Sequence, residues 1–516
     1  MINHKSLNPA QRRDHHKMFS IRFRKSRRRI VRCLILSSLL AASILASATE
    51  PASCTQSPAG KASYITYSEA RPILEAMQDV LPAELRPANP QETQSAWAKW
   101  VARHDSEIRA RLAQGEEDSL INLLLFGTSF TGHPRITLDV LTKVMGRSWQ
   151  NVPNSSPDVA LFVRAIDARA DDLVRAMATS GTNERLLFAR QLIAYKGYDP
   201  KDSKNRERIK RYLFSGLARM LKEQAGYARI LESARLLGDR SAEFAERSKL
   251  FSARGLSTDT SLLPDFAIER ALESLKAQSL LGGSSVRRVA VIGPGLDFAD
   301  KDDGYDFYPQ QTVQPFAIID TLLRLGLAQP NDLKVTTLDL SPRVNDHLGR
   351  TRQRAVRGVS YVVQLPRNLE SSWKPETIDY WQGFGDRIGS PVAPIQPPAG
   401  AGKLKVRAVR IRPSIVSLVT PEAVNIVLQR LDLPAGEQLD LIIATNTLVY
   451  YDVFEQSLAL ANIERMLRPG GFLLSNNALL ELPSSEMRSV GYQTVVYSDR
   501  PDDGDHIVWY QRARMR

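Results

Sequence analysis

Cysteine is nearly absent from this chain: two residues in 516, Cys33 and Cys54. Two thiols confined to one end make no disulfide framework, and removal of the first 48 residues would leave Cys54 alone. Histidine is sparse too, with seven residues scattered along the chain and no Cys/His group at metal-ligand spacing. His133, His347 and His506 therefore read as surface or core residues, and no metal site is expected. Long apolar runs are missing as well. The best one, from Cys33 to about Ala46, falls short of the ~20 residues that a membrane-spanning helix needs. A formal charge of +13 suggests an anion-binding protein until it is located. Residues 1–32 hold eleven Lys/Arg and one acid, Asp14, which leaves 58 bases against 55 acids beyond them. The excess belongs to the N-terminal tail, and no nucleic-acid partner is expected.

That tail has the layout of an export signal over residues 1–48. The basic stretch Ser26-Arg-Arg-Arg-Ile-Val-Arg32 leads into the apolar run, and Ala46-Ser-Ala48 offers a small-x-small cleavage site. A twin-arginine signal and an ordinary Sec signal both fit. Either implies an exported or periplasmic protein with no transmembrane span after cleavage. Met18 could equally be the true start, and a misassigned start that removes the signal would imply a cytoplasmic location instead. Lipidation of Cys54 is disfavoured by Pro51, three positions before it, where an aliphatic residue is wanted.

Residues 49–63 are small and polar and read as a linker. Residues 64–281 read as an all-helical domain. Glu184–Tyr195, Arg206–Gln224 and Asp265–Leu280 space their apolar residues three and four apart, with almost no internal Gly or Pro. Thr182-Asn-Glu-Arg185 and Ser261-Leu-Leu-Pro-Asp265 supply helix starts. Leu123–Pro134 mixes apolar and loop-forming residues, and reads as a helix end turning into a buried loop, with a cleft lining as the alternative.

After Leu281-Gly-Gly-Ser-Ser285 strand-like runs alternate with helices, which implies a largely parallel sheet covered on both faces. Val289–Ile292 is a short buried strand followed by Gly293-Pro-Gly295, a turn that lets a ligand approach the backbone. A dinucleotide fingerprint wants a third glycine at 298, where Phe298 stands, and this argues against NAD. The acidic, aromatic stretch Asp297–Pro309 precedes a helix over roughly Gln311–Leu325, closed by Gly326. A lid over the reaction and an ordered surface excursion are equally open for it. Lys334–Asp339 is a second strand ending on an acid, placed to accept two ribose hydroxyls or to cap the helix that Ser341-Pro342 begins. Residues 359–402 read as an insertion, and Leu404–Ile411 as the third strand, with Tyr361–Leu365 competing. The residue that meets adenine stays unassigned. Leu439-Asp-Leu-Ile-Ile-Ala-Thr-Asn446 is a strand with an Asp, four largely aliphatic residues and a terminal Asn that puts a polar side chain at the sheet edge. Asp452–Leu467 is a helix, and Arg468-Pro-Gly-Gly471 leads into Phe472–Ser475. Tyr492–Tyr497 and His506–Gln511 flank the hairpin signal Asp502-Asp-Gly-Asp505.

In order and content these pieces resemble class I S-adenosylmethionine (SAM)-dependent methyltransferases over roughly residues 286–516. Asn446-Thr-Leu-Val-Tyr-Tyr451 is similar to the Asn-x-Leu-x-Tyr-Phe segment of the chemoreceptor glutamate methyltransferases, whose glycine motif on the first strand is not matched here. The resemblance implies an α/β Rossmann-like domain, preceded by the all-α domain. Its sheet would be mostly parallel and seven-stranded, closed by an antiparallel hairpin. It implies SAM as cofactor, bound at Gly293, Pro294, Gly295, Asp339 and Asn446. Asn446 and Tyr450 would flank methyl transfer to an O or N acceptor, small molecule or protein. Asp297 would serve as base for a hydroxyl acceptor, with Tyr305 and Asp306 as further candidates. No Ser/His/Asp or Cys/His arrangement favours hydrolysis. The alternative is a non-catalytic SAM-fold scaffold whose helical domain binds a protein or ligand.

Overall fold

The computed structural model describes residues 61–86, 89–137, 157–237, 255–296, 304–476, 478–500 and 503–514. The export signal, most of the linker, Cys54 and Asp297 lie outside them. Residues 59–516 form one compact unit. Among the described residues no helix is long and apolar enough to cross a membrane, and no group of three His, Cys, Asp or Glu could hold a metal ion.

Seven strands form the main sheet: β2 (Arg288–Ile292), β3 (Lys334–Asp339), β7 (Val419–Ala423), β9 (Leu439–Ala444), β10 (Leu467–Ser475), β11 (Met487–Val496) and β12 (Gly504–Arg512). They lie in the order β11-β12-β10-β9-β2-β3-β7. Numbered by appearance within this sheet, the order is 3-2-1-4-5-7-6. β12 runs antiparallel to both neighbours, and the pairs from β10 through to β7 are parallel. All six residues of β9 are buried, as a central strand covered on both faces requires.

Alternation along the strands divides two cores. Val289 and Val291 face a cluster with α6 (Leu263–Ala277), α7 (Gln314–Arg324) and α8 (Pro342–Val356). Ala290 and Ile292 face the other cluster, which holds α1 (Tyr67–Ala76), the first half of α2 (Pro90–Phe126) and α10 (Val453–Met466). Each helix begins on a local signal: Thr66 and Asp452 close capping boxes with Glu69 and Glu455, and Asn89 accepts from the Glu92 amide. Gly326 closes α7 at φ 66°.

The second half of α2, Leu120 to Phe126, belongs to a third core with α3 (Pro157–Ala178), α4 (Glu184–Tyr195) and α5 (Arg206–Leu237). The Leu123–Pro134 segment turns there into a buried loop held by Arg169. Its guanidinium donates to the carbonyls of Leu124 (2.8 Å), Gly127 (2.5 Å), His133 (2.7 Å) and Pro134 (2.9 Å). The helical segment is joined to the sheet region from its start. β1 (Ala62–Tyr64) pairs antiparallel with β8 (Gln429–Leu431), and Trp97 Nε1 donates to the Ile65 carbonyl at 3.1 Å.

The expected third strand is corrected. Leu404–Ile411 and Tyr361–Asn368 are real strands, β6 and β4, but they pair with each other and with β5 (Gly389–Val392) in a separate antiparallel sheet. α9 (Pro375–Gly383) lies within this insertion, and its fully buried Trp381 donates Nε1 to the Leu365 carbonyl at 3.1 Å. The third parallel strand is β7, Val-Thr-Pro-Glu-Ala. Pro421 cannot donate to a ladder and Glu422 is polar, so the stretch lacks a strand's apolar signature; both are tolerated because β7 is the sheet edge.

Candidate functional site

At the carboxyl ends of β2, β3, β7 and β9 lies a cavity of about 500 Å³. That is the place where open α/β sheets bind ligands, and the volume suits a nucleoside-sized one. Gly293, Gly295, Asp339, Asn446 and Tyr450 line it, five of the residues singled out in the sequence. Pro294 sits between the two glycines and is not among the lining residues.

The glycines are required chiefly by the chain itself. Their φ angles are 64° and 71°, a region that disfavours side chains. A Cβ on Gly293 would stand 2.6 Å from Thr447 Oγ1, and one on Gly295 only 2.2 Å from the Asp259 carbonyl. The turn is pinned on both sides: the Gly293 amide donates to the Leu338 carbonyl at 2.9 Å and the Leu296 amide to the Thr258 carbonyl at 2.6 Å.

Asp339 does two jobs. Its Oδ1 accepts from the Ser341 amide at 2.7 Å, at the start of α8, while the carboxyl lines the cavity. Burial pushes its pKa up to about 7. Arg343, one residue into α8 from Pro342, donates to Thr258 Oγ1 at 3.0 Å and stacks over the Phe188 ring at 3.9 Å. Asn446 is exposed with φ 55°. Its amide donates to Asn476 Oδ1 at 2.9 Å, and the Asn476 amide group returns a bond to Asn446 Oδ1. Tyr450 is half-buried, and its carbonyl accepts from Arg111 of α2, which also pairs with Glu455 at 3.7 Å.

Tyr305 and Asp306 do not reach this cavity, which corrects their candidacy as bases. The Asp306 carboxylate is buried and takes bonds from the amides and hydroxyls of Thr128 and Ser129. The Tyr305 ring is buried under the Arg135 guanidinium at 4.3 Å. The described part of the acidic stretch, residues 304–309, is thus fastened to the helical segment.

Several lining residues escaped the sequence reading. Leu256–Ser261 runs from α2 to the glycine turn, and Asn425 follows β7. Tyr497, Asp503 and Asp505 come from the closing hairpin, where Tyr497 Oη donates to Asp505 Oδ2 at 2.6 Å. The run Ser257-Thr-Asp-Thr-Ser261 did carry a loop signal, a Ser/Thr/Asp cluster between helical patterns. The charged lining is four aspartates (Asp259, Asp339, Asp503, Asp505), with no Lys or Arg among the described lining residues.

The sequence matches no family model and no curated protein. Among solved structures it is similar to the N-methyltransferase NodS from Bradyrhizobium japonicum WM9, at 15% identity over 48% of this chain and 97% of that one, with a TM-score of 0.24. It is also similar to the glycopeptide N-methyltransferase MtfA complexed with sinefungin (13% identity, 50% and 70% covered, TM-score 0.20). TrmN from Thermus thermophilus is a third (14%, 48% and 52%, 0.23). The strand order 3-2-1-4-5-7-6, with its single antiparallel strand, gives the second half of the chain the Rossmann-like architecture of class I methyltransferases.

Proposed function

We propose that the chain is a SAM-dependent methyltransferase acting on an O or N nucleophile. The observation that carries this reading is the cavity's charge and position. Its described lining holds four aspartates and no Lys or Arg, at the sheet edge beyond a Gly-Pro-Gly turn. SAM bears a sulfonium and an ammonium, and an acid-lined, partly desolvated cavity favours such a cation. The residues present fit the cofactor. Among the described residues Asn425 Oδ1 and Thr260 Oγ1 are buried there without a hydrogen-bond partner, and Asp339 presents its carboxyl to the cavity for ribose hydroxyls.

SAM supplies an activated methyl group with a neutral leaving group, so positioning and exclusion of water would provide most of the catalysis. In this reading Gly293–Gly295 and Asp339 hold the cofactor, and Asn446 and Tyr450 stand on the acceptor side. Asp297 lies outside the described residues, and Asp259, Asp503 and Asp505 are the cavity carboxylates, besides Asp339, that could serve a hydroxyl acceptor.

Calorimetric titration with SAM and S-adenosylhomocysteine tests the reading. Both should bind, and Asp339→Ala should weaken each by about 1 kcal/mol, the scale of a lost hydrogen bond. Absence of binding by either would overturn it. Methyl-labelled SAM offered with acceptor extracts then identifies the nucleophile.

A further inference from the structure

A second cavity, of about 610 Å³, lies between α4, α8 and residues 306–310, and shares no lining residue with the first. Its character is opposite. Arg185, Arg350, Arg354 and His347 line it, with the Phe307 and Tyr308 rings beside them. Its two acids are engaged: Asp306 by Thr128 and Ser129, and Glu184 Oε2 by the Gln310 amide at 3.1 Å.

His347, Arg350 and Arg354 recur three and four residues apart and so share one face of α8. Two arginines four apart repel and weaken a helix unless something neutralises them. Among the described residues neither Arg350 nor Arg354 makes an ion pair, and Asp346, four residues before Arg350, makes none with it. Thr312 N–H donates to Tyr361 Oη at 2.9 Å, and Tyr361 Oη shares a hydrogen bond with His347 Nε2, also at 2.9 Å. Burial and the guanidinium groups of Arg350, Arg343, Arg354 and Arg185 push the imidazole down to about 4, which keeps it neutral. Two guanidinium forks with a neutral imidazole beside them match the three terminal oxygens of a phosphate better than the two of a carboxylate.

The same bonds lead out of this cavity toward the first. Tyr361 joins His347 to Thr312, and Thr312 Oγ1 donates at 3.3 Å to the Pro294 carbonyl, inside the Gly293–Gly295 turn.

We propose that this second cavity binds a phosphate monoester with an aromatic or apolar body, and that its occupancy is transmitted to the Gly293–Gly295 turn through His347, Tyr361 and Thr312. Phenyl phosphate is the probe, titrated calorimetrically into the full chain with no nucleoside present, so the result is independent of the methyltransferase reading. Phenyl phosphate should bind saturably and more tightly than benzoate. The double variant Arg350→Ala/Arg354→Ala, which removes exposed side chains that make no ion pair among the described residues, should melt no lower than the native chain and bind about tenfold more weakly or worse. Amide exchange of residues 289–296 should slow when phenyl phosphate is bound. Tyr361→Phe should bind the probe and lose that slowing. No binding by the native chain, affinity equal to benzoate's, or affinity unchanged in the double variant would overturn the site. Slowing that persists in Tyr361→Phe, or is absent from the native chain, would overturn the transmission.

Discussion

Asp339 is buried, yet it must serve a ligand. Its raised pKa means that the folded chain resists ionising it. As pH rises from the ordinary carboxyl range near ~4 to about 7, the unfolded chain loses this proton before the folded one does, so this residue's contribution to stability falls across that window and is flat above it. Asp339→Asn keeps an acceptor for the Ser341 amide and removes the titration. Its melting temperature relative to the native chain should therefore be higher at pH 7.5 than at pH 4.5, as scanning calorimetry would read. Arg169 is the opposite case, a buried cation that satisfies four carbonyls. Arg169→Leu leaves them without a donor and should cost over ~3 kcal/mol in urea unfolding, at about 1–3 kcal/mol per stranded group. Residues of the first kind were legible in the sequence, because an acid at a strand end before Ser-Pro has a positional meaning. Arg169 was not, since nothing local distinguishes it from the arginines that surround α3 on the surface.

Elements report their partners through pattern only where pattern and burial agree. β9 and α4 were legible for that reason, one by the aliphatic run Leu441–Ala444 and the other by three-four spacing. β7 was hidden by Pro421 and Glu422, and β6 was mistaken for it because its alternation is genuine but serves another sheet. The segment over Leu256–Ser261 was not singled out in the sequence, since its role as a cavity wall comes from where α2 lies. It crosses α2 at Gly115, where a Cβ would stand 1.7 Å from the Leu256 carbonyl, and the Leu256 amide donates to the Arg111 carbonyl at 2.9 Å. Gly115→Ala improves helix propensity by about 1 kcal/mol and should nonetheless destabilise the chain. It should also weaken S-adenosylhomocysteine binding by displacing Thr258–Ser261. A gain in melting temperature with unchanged affinity would contradict the crossing.

For the whole molecule, the sequence change at Leu281–Ser285 marks where strands begin. It does not mark where packing ends: α6 lies against β11 and β12, and α1 and half of α2 lie against the opposite face of the sheet. Residues 59–516 are expected to unfold as one cooperative unit, giving a single calorimetric transition. Two separate transitions would refute this.

At 37 residues, α2 is about 55 Å long, with Trp97 and Trp100 at one end in the sheet's core and Leu120–Phe126 at the other in the helical core. A beam built into two rooms cannot be sold with either one. Neither region can be lost, or grafted onto another chain, without turning half of that helix's apolar face out to water. The two should therefore be inherited together, and a homologue lacking the helical core should carry a shorter or more polar helix in α2's place.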